Sequence, residues 1–268
     1  MSKKRQRVSR GDEELLVRSY AVTHPPGLDL STRAYPDWDQ LAYAARGVMT
    51  VATEQGTWVV PPHRAVWIPA GVAYSVRMSG RVTLRTLFFR PRMRGRLPRS
   101  CAALNVSSLV RELVLHACRL NTLRRDSAGD RRLARVLLDQ LATLPAEPLQ
   151  LPLPSEARAR AAAEVMMADP GGPSLDEVAR AAGASKRTLE RAFLRETAMT
   201  LGRWRRRLRL VEALRLLAEG HAVTRVALDV GYETPSAFVS AFRRELGRTP
   251  ARYFDGAEER VPTDRTSS

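Results

Sequence analysis

The apolar positions of this 268-residue chain change period partway along. From about Gln40 to Phe89 they fall in short runs, "LAYAARGVMTVATEQGTWVV", "AVWIPAG", "AYSVRM" and "VTLRTLFF", rich in Val, Thr and aromatics. Gly47, Gly56, Pro61-Pro62, Pro69-Ala70-Gly71 and Ser79-Gly80 punctuate them. Closely spaced strands with such turn signals predict a small β-barrel or sandwich. Residues 1–19 read as a charged tail with an uncertain start of order. After the basic connector "FFRPRMRGRLPRS" the spacing becomes helical, with Leu109, Leu113 and Leu120 in one run and Leu133, Val136, Leu137 and Leu141 in the next. These two amphipathic helices are free either to pack on the barrel or to pair with a second chain. "PAEPLQLPLPSE" then marks a domain boundary, and everything from Ser155 onward reads as helix. The plan is two-domain: a β-barrel over residues 1–95, a helical linker and dimerisation region over 96–152, an all-α domain over 153–257 and a flexible tail over 258–268.

The all-α part contains a repeat. "LDEVARAAGASKRTLERAFLRETAMT" parallels "VTRVALDVGYETPSAFVSAFRRELGRT": Val178-Ala179 matches Val226-Ala227, Gly183 matches Gly231, Phe193 matches Phe242 and Glu196 matches Glu245. Each unit is helix, glycine turn, helix. The small Ala179 or Ala227 lets the two helices approach, and Gly183 or Gly231 supplies the positive φ of a tight turn. Ser174 and Glu177 form a capping box ahead of the first unit. Thr234 caps the last helix of the second, with Pro235 at its first position.

Helical spacing turns Leu189, Ala192 and Phe193 inward in the first unit, and Phe238, Ala241 and Phe242 in the second. Trp204 and Tyr232 belong to the same core. The opposite faces carry Lys186, Arg187, Glu190 and Arg191, and Ser236, Val239, Ser240 and Arg243. A double helix-turn-helix with polar outer faces is suited to double-stranded DNA. The base-edge candidates are Ser185, Lys186, Arg187, Glu190 and Arg191 in the first unit and Ser236, Val239 and Ser240 in the second; arginine can grip guanine and glutamate can accept from cytosine. "RWRRRLR", within the helix joining the units, suits phosphates. Arg203, Arg205, Arg206, Thr234, Arg243 and Arg244 are the phosphate candidates. A helix over Thr200–Glu219 spans about 30 Å, close to one turn of duplex.

Charge narrows the partners. The formal net charge is +16, which favours polyanions. It does not mark the binding domain, because residues 155–257 carry 18 Lys and Arg against 13 Asp and Glu, whereas residues 1–154 carry 24 against 12. No apolar run reaches the length of a membrane span, so no membrane partner is expected. The basic N-terminus has no apolar segment of the secretory type. Cys101 and Cys118 are the only cysteines, too few for a disulfide framework, and the expected compartment is a reducing cytoplasm.

The residues "VALDVGYETPSAFVSAFRRELGRTPARYF", with the two correctly spaced units over about Leu153–Phe254, resemble the C-terminal signature of AraC/XylS-type transcriptional regulators. "PPHRAVWIPAGVAYSV" resembles the cupin-like N-terminal domain of one branch of that family. The resemblance implies a bacterial promoter-binding protein, often controlled by a small effector in the barrel, with RNA polymerase and a second copy of the chain as further partners. It places the family's reading positions on Arg187, Glu190 and Arg191. Two residues depart from the pattern: Ala198 stands where the second unit has Gly247, and Tyr74 where cupins of this kind commonly have histidine.

His63, Trp67 and Tyr74 stand either as the lining of an effector pocket or as core. No H-x-H and no convergent carboxylate accompany His63, so neither a metal nor another cofactor is expected. A cupin-type enzyme fused to a DNA-binding module is the rival reading. It requires a metal triad or an activated nucleophile, neither of which is present in the sequence, and no enzymatic activity is expected. A DNA-coating protein without promoter choice is the other rival, disfavoured by Arg187, Arg191 and the long N-terminal domain.

Overall fold

The computed structural model describes residues 14–54, 56–144 and 150–255. The first thirteen residues of the charged tail, the prolines at 145 and 148, and the tail over 258–268 lie outside them.

The N-terminal half is an antiparallel sheet built on one long ladder. Strands β3 (Asp39–Thr53) and β6 (Tyr74–Phe89) pair from Asp39↔Phe89 to Ala52↔Ser75, with register shifts between Ala44 and Arg46 and between Arg46 and Val48. The irregularities bend the ladder, so each strand serves two sets of neighbours. The first half of β3 pairs with β5 (Arg64–Ile68) and the second half with β4 (Gly56–Val60). Strand β6 takes β2 (Asp29–Arg33) near its start and β1 (Leu15–His24) along its later part. Then β7 (Ala102–Asn105) adds to β5, β8 (Thr122–Arg124) to β1, and β9 (Gln150–Leu151) to β4.

Two expectations change here. Among the described residues the path runs β7-β5-β3-β6-β1-β8, and its ends share no ladder, so the sheet is open and not a closed barrel. Order also begins well before Gln40, with β1 and β2, and the span read as a helical linker contributes β7, β8 and β9.

Alternation along the strands separates two apolar layers. On β5, Ala65 and Trp67 face one and Val66 and Ile68 the other. The first layer is covered by α1 (Ser108–Leu120), through Val110, Val114 and Ala117, and by α2 (Ala128–Thr143), through Ala134, Leu137 and Leu141. The two amphipathic helices therefore pack on the sheet. Leu109, Leu120 and Val136 remain outside that contact, 56%, 44% and 45% exposed.

The helical half comprises α3 (Ala157–Ala168), α4 (Leu175–Ala181), α5 (Lys186–Thr197), α6 (Leu201–Ala218), α7 (Val223–Asp229), α8 (Pro235–Leu246) and α9 (Pro250–Asp255). It has two cores threaded on α6. Leu201, Trp204 and Leu208 belong to the first unit's core, and Leu210, Ala213 and Leu214 to the second's. Val48 of β3 and Val59 of β4 complete the second core from the sheet side, and the Tyr253 hydroxyl donates to the Pro62 carbonyl at 3.4 Å.

Candidate nucleic-acid interface

The first unit is assembled as its spacing dictates. Ser174 and Glu177 form the reciprocal capping box that starts α4, and Gly183 turns the chain at φ 61°. Helix α5 starts at the Ser185 cap, whose hydroxyl accepts from the Thr188 amide at 3.1 Å. Leu189, Ala192 and Phe193 are buried, with Phe193 edge-on to Trp204 at 5.4 Å. The Trp204 indole donates to the Pro152 carbonyl at 2.7 Å, which ties α6 to the segment leading into α3. Helix α5 ends with Ala198 in the left-handed region at φ 55°, a conformation that costs an alanine about 1–2 kcal/mol and that its counterpart Gly247 adopts freely.

On the outer face of α5, Arg187 and Arg191 are exposed and make no hydrogen bond or ion pair among the described residues. Lys186 is exposed and lies 3.6 Å from Asp176. Leu194, one helical step beyond Arg191, is 57% exposed on the same stripe; it was missed because its size and apolarity alone suggest core. Glu190 departs from expectation. Its Oε2 accepts from the Leu201 amide at 3.0 Å, supplementing the Thr200 cap on α6. Unsatisfied amides at a helix start attract a carboxylate, so Glu190 is drawn away from base reading.

In the second unit Gly231 turns the chain at φ 82°. Thr234 is exposed, and its Oγ1 accepts from the Ala237 amide at 3.2 Å. Phe238 and Phe242 are buried, while Ser236, Ser240, Arg243 and Arg244 are exposed. Val239 is half-buried against the second core and is not free on the outer face.

The arginines of α6 divide by role. Arg203 and Arg206 are exposed. Arg205, expected at a phosphate, instead donates to the Gly172 carbonyl at 3.2 Å. Its Nε is buried without a partner, and burial, reinforced by Arg209, pushes its guanidinium below the ordinary arginine value. Arg209 donates to the Pro170 carbonyl at 3.1 Å. Both hold the turn between α3 and α4 by donating to its carbonyls. The same turn presses on the second unit: a Cβ on Gly171 would lie 2.4 Å from the Asp229 carbonyl oxygen.

The three residues read as pocket or core separate. Trp67 is fully buried in the layer under α1 and donates to the Pro98 carbonyl at 3.0 Å. His63 lies in a cleft against Arg248 and Tyr253, where burial first, and then Arg248 and Arg111, lower its pKa. Only Tyr74 borders the cavity of the sheet domain; its hydroxyl donates to Gln40, and burial raises its pKa. The other residues around that cavity, among them Arg18, Arg33, Tyr35 and Trp38, went unmarked, although "RAYPDW" clusters a cation with two aromatics.

A family model described as "Helix-turn-helix domain" matches residues 178–256. The HTH-type transcriptional regulator NimR of Escherichia coli (strain K12) is 37% identical over 215 residues, covering 80% of this chain and 78% of that one. The chain belongs to the HTH-type (helix-turn-helix) transcriptional regulators. The regulator RipA of Corynebacterium glutamicum is 37% identical over 125 residues, covering 46% of this chain and 36% of the relative. Among solved structures, a transcriptional regulator from Chromobacterium violaceum, described as AraC-type, matches at 25% identity and a TM-score of 0.37, over 40% of this chain and 97% of its own. As a member of this family the chain is a DNA-binding transcriptional regulator. No helix of the described residues is long and apolar enough to cross a membrane.

Proposed function

We propose that this regulator reads two adjacent major-groove segments, α5 supplying most of the base choice and α8 most of its share as affinity. The observation that carries this is the pair Arg187 and Arg191, exposed and uncommitted on a helix whose other face is fixed by Leu189 and Phe193. Arginine binds guanine O6 and N7 in a bidentate manner, whereas Ser236 and Ser240 have short side chains that discriminate weakly. Arg203, Arg206, Arg243 and Arg244 meet phosphates. Helix α6 is 18 residues long, about 27 Å at 1.5 Å per residue, somewhat short of the roughly 34 Å between successive major-groove segments on one DNA face.

The N-terminal sheet holds a small effector in the cavity bordered by Tyr74, which replaces the site expected around His63 and Trp67. The protein acts in the cytoplasm as a homodimer through α1 and α2, whose exposed Leu109, Leu120 and Val136 supply apolar surface for a second copy, and RNA polymerase is the partner at the promoter. Sedimentation at micromolar concentration tests the dimer, and a monomer there removes it.

Selection of bound sequences from a random DNA pool tests base reading. Arg191→Ala is expected to relax choice at one base position and to cost about 1–3 kcal/mol on the selected site. An unchanged binding motif would mean that α5 does not read bases through Arg191.

A further inference from the structure

The cavity of the N-terminal sheet has a volume of about 410 Å³, within the range of about 300–1,000 Å³ typical of small-molecule sites. It lies on the sheet layer away from α1 and α2. One wall is aromatic: Tyr35 stands edge-on to Phe88 at 4.8 Å and lies 6.5 Å from Tyr74. Met49, Val51 and Val76 add aliphatic surface to the lining. Such walls select a flat, apolar body.

The charge of the lining is one-sided. Arg18, Arg33 and His24 border the cavity, and neither Asp nor Glu does. Arg18 lies over the Trp38 ring at 4.7 Å, where cation–π attraction holds it. Arg33 is half-buried at the end of β2, opposite Tyr74, and makes no hydrogen bond or ion pair among the described residues. The acid on its own strand, Asp29, is engaged by Arg77 at 2.9 Å. A partly desolvated guanidinium beside an apolar cavity gains most from a carboxylate, which it can bind through two parallel hydrogen bonds. The Tyr74 hydroxyl donates to Gln40, so it brings no competing negative charge.

We propose that this cavity binds a small organic monoacid, its flat apolar body against Tyr35 and Phe88 and its carboxylate paired with Arg33. The assignment rests on the effector reading of the sheet domain and adds the ligand's chemical class. Met49 gives the ligand a route to the DNA-binding half. Its neighbour on β3, Val48, points the other way and packs into the core of the second helix-turn-helix unit.

Calorimetric titration of the full-length protein with 2-naphthoate, 2-naphthalenemethanol and 2-naphthylmethylamine tests the class. The acid is expected to bind about tenfold or more tighter than the alcohol, and the amine more weakly than either. Arg33→Gln is expected to bring acid and alcohol within about twofold of each other while leaving the alcohol's affinity unchanged. Val76→Trp, which fills the cavity, removes both. Near-ultraviolet circular dichroism and retained DNA binding establish that each variant is folded. Equal binding of acid and alcohol by the wild type, or a preference that survives Arg33→Gln, overturns the monoacid class; if Val76→Trp still blocks binding, the cavity stands as an effector site for another class. A folded, DNA-binding wild type that takes up none of the three probes overturns the monoacid class, and the effector reading is then tested by ligands of another class.

Discussion

At the scale of single residues, side chains on one helix divide between holding the fold and standing free in solvent. Glu190 and Glu196 sit on α5 beside Arg187 and Arg191, yet both carboxylates serve neighbouring helix starts. Glu196 accepts from the Ser155 amide at 2.7 Å, the Ser155 hydroxyl at 2.9 Å and the Glu156 amide at 3.1 Å, where α3 begins. The hydrogen bond from Arg195, followed by those three, lowers its pKa from 4.5 to about 2. A folded-state pKa below the unfolded one contributes stability that is fully present above pH 4.5 and is lost as the pH falls through about 2. Urea midpoints measured between those limits should therefore fall more steeply for the wild type than for Glu196→Gln, the difference being the proton that only the wild type takes up on unfolding. Parallel slopes would show that Glu196 does not hold α3. In the sequence these glutamates look like any solvated helix charge, because their partners, eleven residues downstream and forty upstream, enter only through the packing of α3, α5 and α6.

At the scale of elements, α6 is both the axle of the two units and the proposed source of phosphate contacts, and its arginines split accordingly. The run "RWRRRLR" shows no difference between Arg205 and Arg206. The difference arises because Arg205 faces the turn after α3, with its Nε already buried, while Arg206 faces solvent. Arg206→Ala is expected to weaken binding to all sequences and to reduce the salt slope by about 0.9, the loss of one phosphate contact. Arg205→Ala should leave that slope nearly unchanged and lower the thermal midpoint, since it frees the Gly172 carbonyl and loosens the joint between the units. Titrations at several salt concentrations, run beside melts, separate the two; equal slope losses would return Arg205 to the phosphates. The repeated units themselves were legible, because capping residues, turn glycines and paired phenylalanines act within a few positions of one another. Strand β1 was not. Its Ser19 occupies a buried position with its hydroxyl donating to the carbonyls of Ala117 and Asn121 in and after α1, a partner 98 residues away that disguises a core position as a polar one. The cavity was illegible for a related reason: Arg33, Met49 and Tyr74 meet only once the β3–β6 ladder has bent.

At the scale of the whole molecule, the sheet half and the second helix-turn-helix unit share one core, while the first unit has a core of its own that Leu151 of β9 joins. Val48 and Val59 lie in the same cluster as Leu214, Phe238 and Phe242. The contact is close at the backbone. Gly80 has φ 69°, and a Cβ built there would lie 2.0 Å from the carbonyl oxygen of Ala218, the last residue of α6. That oxygen belongs to a helix end and cannot yield as a side-chain tip can, so Gly80→Ala must push α6 off the sheet. The two apolar layers of the sheet do not depend on this contact, and neither does the first unit's core. Calorimetry is therefore expected to show the single transition of the wild type split in two in Gly80→Ala, with the sheet half melting within a few degrees of its original midpoint. The left-handed backbone at Gly80 adds a cost of its own, about 1–2 kcal/mol for a residue with a Cβ, which could lower the sheet's midpoint without parting the halves. Val59→Asp separates the two effects, since it places an unpaired carboxylate in the shared core and leaves the backbone at Gly80 untouched. If both variants split the transition, the joint between sheet and second unit is the molecule's coupling surface, the one through which a ligand against Met49 reaches Ser236 and Ser240. If both keep a single transition, Val48 and Val59 are not what binds the halves together.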